Sequence, residues 1–160
     1  MSSGRGQINF QELIRVSRLI LIVEKAEPYR VDDELRFGEG HKGGLQTTLY
    51  RYSVIEVLKN SHSGIELKDS VEVYTSYALD NLEQTRRYLE GLPMFMTIQY
   101  HYNPGRADVT EDKNFIIFLK YETETKRFYY SAINAFESSE MASEVKRTIR
   151  GPDPIKPSLR

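Results

Sequence analysis

The chain of 160 residues carries 22 basic and 23 acidic side chains, a net charge of −1, and 39% hydrophobic against 28% charged residues. That is the size and composition of one folded domain with one core, and it lacks the strong positive field that gathers nucleic-acid phosphates or anionic lipid. The absence of cysteine excludes disulfides, thiolate nucleophiles, zinc–thiolate sites and iron–sulfur clusters.

The first residues, Met1 to Gly6, lack the apolar stretch of a signal peptide, and residues 1–9 are expected to be a flexible N-terminus. Asn9, with Glu12 three residues on and then Leu13, Ile14 and Val16, has the form of a capping box and predicts a short helix over 10–17. The longest apolar run follows, the five residues Leu19-Ile20-Leu21-Ile22-Val23, far short of the roughly 20 needed to span a membrane as a helix. Its β-branched content predicts a strand over 18–27 buried on both faces and ended by Glu27-Pro28; a helix continuous from 10 to 25 is the alternative.

Residues 29–46 turn polar, with Gly38, Gly40, Gly43 and Gly44 around His41 and Lys42, and read as a loop or long hairpin connection. Strand patterning resumes over 47–59, where Leu49, Ile55 and Val57 share one parity and Tyr50, Tyr52 and Val54 the other. The turn Asn60 to Gly64 leads to a partner strand over 69–75. Asp80 and Glu83, then Leu82 and Leu89, with Gly91 and Pro93 beyond, predict a helix over 77–90. Over 94–102, Met94, Met96, Ile98, Tyr100 and Tyr102 alternate with Phe95, Thr97, Gln99 and His101, as in an antiparallel strand with one buried face.

After the turn at Asn103-Pro104-Gly105, strands are expected over 115–121 and 127–136, joined by a short polar connection. Ser138 or Ser139 then caps a helix over 139–150. It has an apolar stripe of Met141, Ala142, Val145 and Ile149, basic residues at its C-terminal end and a Gly151-Pro152 stop. A proline-rich tail occupies 152–160, which leaves 10–151 as the domain.

Strands joined by hairpins, a helix between the third and fourth strands and a helix after the last predict a mainly β fold, a five- or six-stranded OB-like barrel, with an α+β curved sheet as the alternative. Three segments, Tyr52-Ser-Val-Ile-Glu-Val-Leu-Lys59, Val71-Glu-Val-Tyr-Thr75 and Asn114-Phe-Ile-Ile-Phe-Leu-Lys120, together with the approach through 10–23 and the helix at 139–150, resemble the netrin-like domains shared with tissue inhibitors of metalloproteases. The resemblance implies an OB barrel and an extracytoplasmic location. Those inhibitors chelate the target's zinc with an N-terminal cysteine, so a chain without cysteine does not inherit that mechanism.

Chemical motifs are sparse. Lys42 is followed by two glycines rather than Ser or Thr, so the glycine cluster does not match a phosphate-binding P-loop. His41, His62 and His101 fall in separate segments without metal-ligand spacing, and Arg106, Asp108, Glu111 and Asp112 do not follow a calcium-loop pattern. No Gly-x-Ser-x-Gly elbow or His-Glu-x-x-His helix is present.

The first expectation is therefore a non-enzymatic module, with no cofactor or metal, that meets a protein partner through loops 29–46 and 103–113. Its candidate binding residues are His101, Gln99, Arg106, His41 and Lys42. Two alternatives are a small enzyme with a shallow site around His101 and nearby tyrosines, and a glycan or single-strand nucleic-acid binder that uses exposed tyrosines.

Overall fold

A computed structural model describes residues 6–33, 45–61, 67–74, 100–123 and 126–150. In chain order the elements are β1 (Gln7–Ile8), α1 (Phe10–Val16), β2 (Leu19–Glu24), β3 (Pro28–Asp33), β4 (Leu45–Asn60), β5 (Ser70–Tyr74), β6 (His101–Tyr102), a 3-10 turn (Val109–Glu111), β7 (Asn114–Glu122), β8 (Arg127–Tyr130), β9 (Phe136–Ser138), a second 3-10 turn (Ser139–Met141) and α2 (Ala142–Arg150).

Five strands close a mixed barrel in the order β2, β4, β5, β8, β7 and back to β2. The β5–β8 seam is parallel and the other four seams are antiparallel. The mainly β barrel and the C-terminal helix are thus as the sequence predicts. The helix expected over 77–90 lies outside the described residues, as do most of the strand expected over 94–102 and the tail 152–160.

β2 and β7 explain how one barrel supports two hydrophobic layers. Alternate residues of a strand point to opposite faces, and in both strands both faces are apolar. Leu19, Leu21 and Val23 with Phe115, Ile117 and Leu119 point into the barrel, joined there by Tyr52, Val71, Val73 and Val109. Ile20, Ile22, Ile116 and Phe118 point outward, and Leu13 and Ile14 of α1 and Val145 of α2 pack onto them. Each such side chain contributes about 1.5–3 kcal/mol on leaving water.

The helix ends are satisfied locally. The Asn9 side chain accepts from the Glu12 amide at 2.8 Å, while the Asn9 amide donates to the Glu12 carboxylate at 3.0 Å, the expected capping box. At the other end of α1, the Lys59 ammonium donates to the Ile14 carbonyl at 2.8 Å and the Arg15 carbonyl at 3.3 Å, occupying two acceptors that the helix leaves open. Burial and then the nearby Arg18 charge lower the Lys59 pKa. The hydroxyl of Ser138 accepts from the Glu140 amide, so the capped C-terminal helix begins as a 3-10 turn and continues as α2.

Four local expectations are corrected. The polar segment 29–46, expected to be a loop or long hairpin connection, holds strand at both ends: β3 pairs antiparallel with the first part of β4 from Pro28↔Tyr50 to Asp33↔Leu45. The 16-residue β4 is long enough to carry β2 on one stretch and β3 on the next, and Pro28 stands at the first strand position, where a missing amide is tolerated. The strand expected over 127–136 is two strands. Asn134 adopts a left-handed φ of 64°, and the chain turns so that β9 pairs with the early half of β7 after β8 has paired with the late half.

His101–Tyr102 pairs in parallel with Gln7–Ile8 rather than as an antiparallel barrel strand, so the chain is already paired within the expected flexible terminus 1–9. Finally, shared strand parity did not mean shared burial. Tyr102 is 4% exposed and Tyr100 46%. Ile55, Val57, Val16 and Ile149 are also exposed.

Candidate functional site

β6 ends at Tyr102, beneath the rim of the barrel, and the chain then runs through residues 103–113 before β7 begins. Val109 is fully buried and closes the barrel interior from this side. Around it the amides of Val109, Glu111 and Asp112 donate to the carbonyls of Arg106, Asp108 and Val109, so the loop has a regular turn structure of its own.

The loop is fixed to the barrel by a buried carboxylate. Glu137 of β9 is 5% exposed. Its Oε2 accepts from the Tyr102 hydroxyl and, at 3.0 Å, from the Gly105 amide, while its Oε1 lies 3.3 Å from the Ser138 amide. Burial, and then the hydrogen bond and negative charge of Glu137, raise the Tyr102 pKa well above its ordinary value, so this hydroxyl stays a donor. A buried carboxylate is tolerated only when donors replace its lost water, and here three do so.

Above this anchor, Asn103, Pro104, Ala107, Thr110, Asn134 and Phe136 line a hollow of about 260 Å³ floored by Val109. Its wall combines apolar side chains with two amides and a hydroxyl. At the outer edge Arg106 donates to Asp108 at 3.0 Å and to Asp112, and Lys25 pairs with Glu111 at 3.3 Å. The hydrogen bond and charge of Asp112 raise the Arg106 pKa further still, so this edge keeps its guanidinium.

Two of the sequence-predicted candidates, Arg106 and His101, are among the described residues. Arg106 stands on the rim loop, exposed and ion-paired. His101 is exposed on β6, where its backbone amide donates to the Gly6 carbonyl at 2.6 Å; among the described residues its imidazole has no hydrogen bond or ion pair, and it lines neither this hollow nor the groove described next. Gln99, His41 and Lys42 lie outside the described residues. Among the described residues no three His, Asp or Glu side chains converge as metal ligands, and no helix is long and apolar enough to cross a membrane. Sequence reading missed Glu137, because an acidic residue between Phe136 and a helix cap carries no sign of burial.

A second concavity, an open groove of about 410 Å³, follows the parallel seam between β5 and β8. Lys68, Ser70, Glu72, Tyr74, Lys126 and Arg127 contribute to its wall. The Arg127 guanidinium sits 4.1 Å from the Tyr74 ring centre, and the rings of Tyr74 and Tyr129 are 6.3 Å apart, both half-buried on the outside of the barrel. Basic and acidic groups are mixed here, since Glu72 also binds Arg51 at 2.6 Å.

No family model matches the chain, and no curated protein matches it.

Proposed function

We propose that the protein is a non-enzymatic binding module, a barrel of the OB and netrin-like kind that meets a protein partner through the rim formed by residues 103–113 and 134–136. The strand order around the barrel supports the fold part of this reading. Numbered by their place in the ring's chain order, the strands run first, second, third, fifth, fourth and back to the first, with the third and fifth parallel. The segments that resemble netrin-like domains fall on β4, β5 and β7, three of these five strands.

The observation that carries the binding part is the anchoring of the rim loop by Glu137. A connection that only joined two strands would not need a buried carboxylate beneath it, and a loop held in advance loses less entropy when a partner docks. The hollow also mixes apolar floor with amide and hydroxyl edges, the surface chemistry suited to a protein side chain. The exposed His101 without a polar partner among the described residues gives the shallow-enzyme reading no comparable support.

The test is affinity capture from extract with the intact chain and with an Ala107→Arg/Thr110→Arg variant that fills the hollow without touching the core. A partner bound by the intact chain and cross-linked to Lys113 or Lys25 is expected to bind the variant at least about tenfold more weakly. Identical capture by both proteins would end this reading. A second reading, glycan or single-strand nucleic-acid binding, draws on the Tyr74–Tyr129 pair with Arg127 above Tyr74. It predicts salt-sensitive or sugar-competed binding that Tyr74→Ala weakens.

A further inference from the structure

We propose that β3 is a self-association edge, along which two copies of the chain pair antiparallel with Arg30 of each opposite Asp32 of the other. The proposal does not depend on the binding role given to the rim.

β2 and β3 lie one after the other along the same side of β4. The far side of β2 is covered by β7, but that pairing ends at Glu24↔Asn114, with one more backbone bond from the Lys25 amide to the Lys113 carbonyl at 2.8 Å. β3 runs on past this point, and among the described residues it pairs with β4 alone. A strand in this position offers its outward amides and carbonyls to another strand.

The register on β4 tells which residues supply them. Residues directly opposite in an antiparallel pair alternate between exchanging hydrogen bonds and exchanging none. The Val54 amide donates to the Asp69 carbonyl at 2.8 Å, and the same register continues through Tyr52↔Val71 and Tyr50↔Val73, so the even-numbered residues of β4 bond to β5. Its odd-numbered residues Leu49, Thr47 and Leu45 bond on the other flank, to Tyr29, Val31 and Asp33. The backbone groups of Arg30 and Asp32 therefore point to the open edge, and Pro28, turned the same way, has no amide to offer.

A twofold axis perpendicular to the sheet sets two such edges antiparallel. The charges of Arg30 and Asp32 then choose the register. Centring the pair on residue 30 puts Arg30 against Arg30, and centring it on residue 32 puts Asp32 against Asp32, both unfavourable. Centring it on Val31 puts Arg30 against Asp32 twice, and in each of these pairs the outward amides and carbonyls meet. Charged residues on an edge strand ordinarily hinder pairing; here they exclude the two shifted registers and leave this one. The net charge of −1 adds little long-range repulsion between copies.

Sedimentation equilibrium of the full chain over a concentration series tests the proposal, together with residue-resolved amide hydrogen exchange. The expected result is a reversible monomer–dimer equilibrium in which the Arg30 and Asp32 amides gain protection as concentration rises, while the Val31 amide, bonded to β4, is protected in the monomer as well. Arg30→Asp and Asp32→Arg should each weaken the dimer about tenfold, and Arg30→Asp/Asp32→Arg together should restore it to within about threefold, because each pair again has opposite charges. Arg30→Pro removes one outward amide and leaves the bonds to β4 in place, so it should be monomeric with an unchanged circular dichroism spectrum. A wild-type chain that is monomeric at every concentration overturns the proposal and leaves this edge to a strand of another protein. A dimer whose Arg30 and Asp32 amides gain no protection also overturns it, as does a folded double variant no tighter than the single ones. The wild-type series decides the matter even if a variant does not fold.

Discussion

The barrel interior and the helix-covered layer outside it are built from alternate residues of the same two strands, yet they bury polar atoms in different ways. Inside, the hydroxyls of Tyr52 and Tyr130 bond to each other at 2.6 Å amid the rings of Tyr50, Phe115 and Phe136. Outside, at the edge of the layer, a carboxylate is held by one hydroxyl and two amides. The inner pair is neutral and self-contained; the outer cluster carries a charge and connects to a surface loop. Neutral pairs can be removed whole at little cost, whereas a charge stripped of its donors is expensive.

The largest expected effect tests whether the outer layer is part of the cooperative core. Phe118 is fully buried between Phe10, at 6.3 Å and edge-on, and Tyr102, at 6.4 Å. Phe118→Ala should cost about 3–5 kcal/mol in urea unfolding followed by circular dichroism. Ile117→Ala, one residue along and facing inward, should cost about 2–5 kcal/mol. Both are expected to leave a single transition. A separate early loss of helical signal in Phe118→Ala would mean that α1 and α2 are docked onto a barrel that folds without them.

Next is the charged cluster. Tyr102→Phe keeps the ring against Phe118 and removes only the hydroxyl, so its effect isolates one donor to a buried carboxylate. The expected loss is about 1.5–3 kcal/mol. A loss below about 0.5 kcal/mol, the range of ordinary surface substitutions, would show that Glu137 does not depend on this donor.

The two layers were not equally legible in the sequence. The run Leu19 to Val23 announced burial on both faces because no polar residue interrupts it, and Asn9 with Glu12 announced the start of α1. These are local signals, carried by neighbours in the chain. Glu137 and Gly105 are 32 residues apart, and the contact between them exists only because Asn134 turns the chain and β9 returns along β7. β3 was hidden for a related reason, since its pairing depends on the length of β4 rather than on a pattern of its own. Of the two candidate site residues that are described, Arg106 stands on the rim, after the turn at Pro104-Gly105, and His101 lies on β6 outside the hollow.

The inner pair should behave differently from the outer cluster. Tyr52→Phe or Tyr130→Phe alone leaves one hydroxyl facing an apolar wall and should cost about 1–2 kcal/mol, whereas the double change should cost less than the sum and come close to neutral. Burial also raises the pKa of both tyrosines, as it does that of Tyr102, above the ordinary 10.0. The unfolded chain therefore loses these protons first as the pH rises. The stability that they contribute is complete below pH 10.0 and declines above it, toward the raised native values. In an alkaline titration, at least these three of the 11 tyrosines should ionise only with unfolding seen by circular dichroism. Complete ionisation before unfolding would contradict their burial.

The smallest expected effect separates the Gly105 amide from the glycine itself. A methyl group at this position would meet Glu137 Oε1 at 3.5 Å and Oε2 at 3.9 Å, ordinary contact distances, and Gly105 is not among the residues with positive φ. Gly105→Ala keeps the amide that Glu137 accepts, so neither the charge nor the loop loses a partner. Stability should change by no more than about 0.5 kcal/mol, or rise by about 0.4–1 kcal/mol because alanine restricts the unfolded chain. A clear loss would mean that the approach of loop to carboxylate is tighter than these distances allow, and that the outer cluster depends on the bare backbone as well as on its charge.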